Sequence, residues 1–157
     1  MISFLTSIPS IVLHPIFLTV AASWFSAQLV KVVLEYFKTG RFRPILLTET
    51  GGMPSSHSAF VASLAASVGQ KEGWTSSAFM MALGVAIIIM HDAAGLRMAA
   101  GRQAALLNRV VGRLYGARKT DIPRMKEMLG HSLAQVLSGA ALGVVVAFLL
   151  FPLLSAP

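Results

Sequence analysis

A chain of 157 residues with 55% apolar and only 12% charged side chains carries about half the charged fraction of a soluble domain. The length suits a single domain spanning residues 1–157, and a mean hydropathy of +0.73 marks an integral membrane protein. The lack of cysteine excludes disulfides, thiolate metal sites and a cysteine nucleophile, and fixes no compartment. A net charge of +7 would suit nucleic acid, but its distribution argues against that partner. Eight of the thirteen Lys and Arg residues fall between Arg97 and Lys126, where Tyr115 is the only aromatic available for base stacking. A basic block between two apolar segments marks a cytoplasmic loop facing anionic headgroups.

The first apolar stretch runs from about Ile11 to Phe37, and Lys31 and Glu35 enter only in its last turns. No charged residue precedes Lys31; a secretory signal needs a basic leading region, so this reads as a retained membrane helix. Residues Thr50–Ser58 then form a glycine-rich turn running into a second apolar helix, Ser55 to Gln70. That helix would span only ~24 Å, short of a ~30 Å hydrocarbon core, so it must tilt, sit in a thinned region or be shielded by neighbours. A third stretch, Trp74 to Met90, continues as helix past Asp92. Leu96 to Tyr115 is amphipathic, with Arg102, Arg109 and Arg113 opposite an apolar face. It can lie at the interface with its arginines on lipid phosphates, or close over a substrate phosphate. The last stretch, Leu129 to Leu154, is uncharged after His131 and carries Gly139 and Gly143, a spacing that permits close helix packing.

The pattern predicts an all-α integral membrane bundle of about four transmembrane helices plus an amphipathic cytoplasmic helix. Lys38, Arg41 and Arg43 follow the first helix, whereas the Gly69–Gly73 turn carries one Lys and one Glu. The positive-inside bias therefore puts both termini outside and the basic loops in the cytoplasm. His57, Asp92 and His131 then share one cytoplasmic layer of the cell membrane, with Arg43 and Arg97 at the same level. His14 falls at the opposite end and reads as interfacial; His91 reads as a packing residue.

Within that layer the Thr50–Ser58 turn is a natural anion site. Ser55 can cap the helix and Pro54 fixes its first turn, leaving unpaired N–H groups before His57. Two histidines, several arginines and such a helix mouth fit phosphoryl transfer through a phosphohistidine. One imidazole attacks phosphorus, the other protonates the departing oxygen, and cations stabilise the remaining oxygens. Glu49 and Asp92 are the only carboxylates near the layer. That predicts no metal cluster and no cofactor, leaving at most a Mg²⁺ shared with a diphosphate.

Lys38, Arg43-Pro44, Pro54-Ser55-Ser56-His57 and Gly130-His131 together resemble the type 2 phosphatidic acid phosphatase superfamily. Gly51–Ser58, His91–Arg97 and Leu129-Gly130-His131 look like its divergent branch, related to acid phosphatases and vanadium-dependent haloperoxidases. The resemblance to that branch covers nearly the whole chain. It implies a single membrane phosphatase-like domain with His131 as nucleophile and His57 as general acid. Arg43 and Lys38 would bind phosphate with Ser55, Ser56 and the Gly52 backbone; Arg97 and Arg102 are further candidate phosphate ligands. Departures from the superfamily pattern are Tyr36 at the usual lysine, Ser56 at a glycine, Met125 at an arginine and Gln135 at the aspartate that orients the nucleophile. Either Gln135 or Asp92, an ionisable residue at the end of a membrane segment, would have to serve His131. Asp92 reads equally as the partner of Arg97 or Arg43.

The leading expectation is a phosphatase of a lipid phosphate or isoprenyl diphosphate, its tail among the helices and its head in the basic layer. The alternative is a degenerate family member that binds phosphate or lipid headgroups without turnover. Four helices are fewer than the six usual in the superfamily's membrane enzymes, so a homodimer could supply missing walls.

Overall fold

The computed structural model describes residues 9–47, 52–115, 123–125 and 130–156, except for the side chains of residues 96, 97 and 115. Five helices, connected by turns, dominate the described residues: α1 (Pro15–Thr39), α2 (Ser56–Glu72), α3 (Ser77–Ala94), α4 (Leu96–Tyr115) and α5 (Leu133–Ser155). A 3₁₀ turn at Pro44–Leu47 follows α1. Their limits follow local chemistry. Pro15 occupies the first turn of α1, and Gly40 closes it in the left-handed conformation at φ 68°. Ser55, Ser76 and Ser132 cap α2, α3 and α5 with their side-chain oxygens.

Three segments are long and apolar enough to cross a membrane among the described residues: Pro15–Thr39, the Ser77–Leu114 helical run and Leu133–Ser155. The expected fourth span, α2, has only 17 residues, about 26 Å at 1.5 Å per residue. Shielding resolves that shortfall, because α2 packs against α1, α3 and α5 and is the hub of the bundle. Its Ala and Ser residues, including Ser58, Ala59, Ser63 and Ser67, are buried against those neighbours. Small side chains let the helices approach closely, which replaces bulk hydrophobicity where dispersion and backbone contact drive association.

The chain is an all-α membrane bundle in which α1 and α3 run toward one end and α2 and α5 start there. The parallel pair α2–α5 is fixed by glycines. A Cβ on Gly139 would collide with the Ser55 carbonyl, and one on Gly143 with the Ala59 carbonyl. The same Ala59 carbonyl accepts the Ser23 hydroxyl of α1 at 3.1 Å. At the far end Trp74 stacks on Phe148 (centroids 5.9 Å apart) and Lys71 Nζ lies 3.0 Å from His14 Nε2. The helix α4 leaves α3 through Gly95 and, among the described residues, packs against no other helix. Its Leu106, Leu107, Val110 and Leu114 are exposed, as are Arg102, Arg109 and Arg113.

Candidate active site

The glycine-rich turn is clamped onto the start of α5. Ser55, fully buried, donates its N–H to the Gln135 carbonyl at 2.9 Å. Its Oγ accepts from the Ser58 N–H at 3.3 Å and the Ser58 hydroxyl at 3.0 Å. Gly52 holds φ 80°, a left-handed conformation that L side chains rarely adopt, and its open Cβ side faces the Lys31 stem, with Cδ 3.6 Å away. The positive ends of α2 and α5 therefore face the same layer, which favours an anion there.

His131 sits between Gly130 and the cap of α5. It is buried, and its N–H donates to the Ala93 carbonyl at 2.9 Å. That bond ties the end of α3, where Asp92 is half-buried, to the histidine backbone. His57 is exposed on the first turn of α2. The two imidazoles meet edge to face, with centroids 6.3 Å apart and planes at 71°. The two rings are therefore neighbours, well inside the ~10 Å beyond which they could not act on one group.

Lys31 is the residue that sequence reasoning missed. It is buried on α1, with its ammonium donating to Gln28 Oε1 at 2.6 Å and to Ser56 Oγ at 3.3 Å. Gln28 in turn donates to the Leu47 carbonyl at 2.6 Å. Among the described residues these bonds engage two of the three ammonium protons and hold the charge beside the first turn of α2. The signal was present in the sequence: an ionisable residue inside an apolar helix, three positions after a glutamine.

Other expected residues lie differently. Lys38 is exposed in the last turn of α1. Arg43 is also exposed, with Nη1 3.7 Å from Glu35 Oε1. Together with Thr39 and Arg41 that pair lines a separate polar recess of about 320 Å³. Arg102 is on the exposed surface of α4, and the Arg97 side chain lies outside the described residues. Gln135 is, with Asp92, one of the two side chains the sequence offers to serve His131. Its Oε1 instead accepts the Ser132 N–H at 2.9 Å, completing a capping box with the Ser132 hydroxyl. His91 is exposed rather than packed. Among the described residues no three His, Asp or Glu side chains gather as a metal site.

Comparison with known proteins agrees with the architecture. The model of the divergent PAP2 family matches residues 12–146. A Bacillus subtilis protein named uncharacterized membrane protein YuiD is 36% identical over 148 residues, covering 87% of this chain and 92% of its own length. No solved structure matches significantly. With a family match from α1 to α5 and a relative similar over nearly its full length, this membrane protein belongs to the divergent PAP2 family.

Proposed function

We propose that the protein is a membrane phosphatase of lipid phosphates or isoprenyl diphosphates, working through a phosphohistidine as one domain over residues 1–157. The observation that carries this reading is the 6.3 Å pairing of His57 with His131 at two capped helix N-termini. An imidazole nitrogen of His131 attacks phosphorus; the P–O bond to the lipid breaks as the N–P bond forms. His57 gives its proton to the leaving oxygen, then takes one from the water that cleaves the N–P bond and releases phosphate. Lys31, Ser56, the Gly52 backbone and the helix ends stabilise the phosphoryl oxygens. Arg43 can join them, because an exposed ion pair such as Arg43–Glu35 contributes only ~0–1 kcal/mol and exchanges readily for an anion. Asp92, on the helix end tied to His131, is the carboxylate best placed to serve the nucleophile. Arg97 and Arg102 would attract the anionic headgroup, and the layer would face the cytoplasm.

Purified protein should release phosphate from a lipid-phosphate panel, and His131→Ala should abolish both release and a trapped phosphoenzyme. Equal inertness of wild type and variant across a broad panel would reject catalysis. A second reading, headgroup binding without turnover, is favoured by the engagement of Gln135 in its capping box. Tight phosphate binding that survives His131→Ala, with no turnover, would select it. A homodimer would complete the walls of so small a bundle under either reading.

A further inference from the structure

An apolar slot begins at His57 and runs away from it along the α1–α2 seam. Its first part, about 470 Å³, is lined by His57, Trp24, Phe17, Val20 and Phe60, and closed on one side by Ile89 of α3. Its second part, about 520 Å³, shares Phe17, Val20 and Phe60 and continues past Leu64 to Val68 and Ile11. The shared residues place the two parts end to end rather than side by side. From His57 to Val68 along α2 is about 17 Å at 1.5 Å per residue, close to one leaflet of a ~30 Å hydrocarbon core. Among the described residues the lining is almost wholly apolar between its ends, with Trp24 contributing one indole N–H; His57 sits at one end, Ser10 and His14 at the other.

We infer that this slot binds one hydrocarbon chain of the substrate, selecting single-chain alkyl or isoprenyl phosphates over diacyl ones. The inference rests on the phosphatase reading for its headgroup, and the slot supplies the occupant's chemistry. A wall of aromatic and branched side chains, with the Trp24 indole N–H as its one side-chain donor between the ends, favours hydrocarbon over polar groups. His57 belongs both to the slot and to the phosphate layer, so a chain seated there delivers its head to the imidazoles. Two chains side by side exceed a slot arranged in series; the second chain of a diacyl lipid stays outside in the bilayer.

Two measurements on the full chain in nanodiscs test this. Trp24 and Trp74 are the only tryptophans, so Trp74→Phe leaves Trp24 as the sole reporter within the slot. A single-chain alkyl phosphate brominated along its chain should quench Trp24 saturably, several-fold more than a brominated phosphatidylcholine at equal mole fraction. Ala21→Phe, which fills the slot, should lower the ratio of kcat/KM for long-chain over short-chain phosphates at least tenfold. Single-chain phosphates should also turn over faster than diacyl phosphates of matched chain length. Equal quenching by both headgroups overturns the inference, as does an unchanged chain-length ratio in Ala21→Phe. The quenching arm does not depend on the folding of Ala21→Phe. Selective quenching without turnover would keep the slot and remove the phosphatase reading. Turnover with unselective quenching would do the reverse.

Discussion

Lys31 and Lys38 lie two turns apart on α1 and have opposite fates. One is buried against Ser56 and the other is exposed. If the ammonium of Lys31 stabilises the phosphoryl oxygens, Lys31→Met should lower kcat/KM for a lipid phosphate by about 10²–10³-fold, as loss of one preorganised donor does. Lys38→Met should change it less than threefold in the same initial-rate assay; the opposite order would restore Lys38 as the binding cation. Asp92 and Gln135 separate in the same way. Gln135→Glu keeps an oxygen for the Ser132 N–H and should retain most activity. Asp92→Asn should lower kcat by up to about four orders of magnitude if its charge supports the histidine. Equal small effects would leave His131 without carboxylate help. The histidines were legible because their motifs are local: a turn with a cap before His57, and a glycine and a cap around His131. Lys31 was not, because its role depends on which face of α1 meets Gly52 and Ser56. That rotation is set by packing, not by spacing from Arg43.

At the scale of elements, the Ala- and Ser-rich composition of α2 makes sense only through its neighbours. Alone it is too short for a span, and together with α5 it forms a backbone-to-backbone contact that has no room for a methyl group. Gly139→Ala forces a Cβ onto the Ser55 carbonyl, which is held by the turn of the active layer and cannot give way. Overpacking of this kind costs about 1–3 kcal/mol. The thermal midpoint in detergent should therefore fall for Gly139→Ala and Gly143→Ala. Gly84 on α3 has nothing within 4 Å of a Cβ. Gly84→Ala should hold or raise the midpoint, since alanine is favoured over glycine in a helix interior by about 0.5–1 kcal/mol. A midpoint unmoved in Gly139→Ala would show that α5 can slide on α2. The glycine pair was visible in the sequence, along with most helix limits and the amphipathic α4. The choice of partner for that pair was not, because a small-residue spacing says that helices approach without saying which ones.

At the scale of the whole molecule, charge and chemistry are sorted to the same end. Lys38 in the last turn of α1, with Arg41 and Arg43 just after it, lies at the end where α2 and α5 begin. The basic helix α4 leaves α3 there too, whereas Lys71 and Glu72 close the other end. A bilayer with anionic inner-leaflet lipids favours placing the former end inside, at about 1 kcal/mol per Lys or Arg near the surface. The histidine layer would then meet substrates presented from the cytoplasmic leaflet, and the slot along α1 and α2 would draw a chain from that same leaflet. Because the chain contains no cysteine, single cysteines report sidedness without a background. Lys71→Cys, exposed in the last turn of α2, should react with an impermeant maleimide in intact cells. Arg113→Cys, exposed on α4, should react only after permeabilisation. Labelling of position 113 from outside would invert the protein and make its substrates lipids of the outer leaflet. Position 71 is in the last turn of α2, and α4, which carries position 113, leaves the bundle at the opposite end through Gly95, so the two results should be opposite to each other in either orientation.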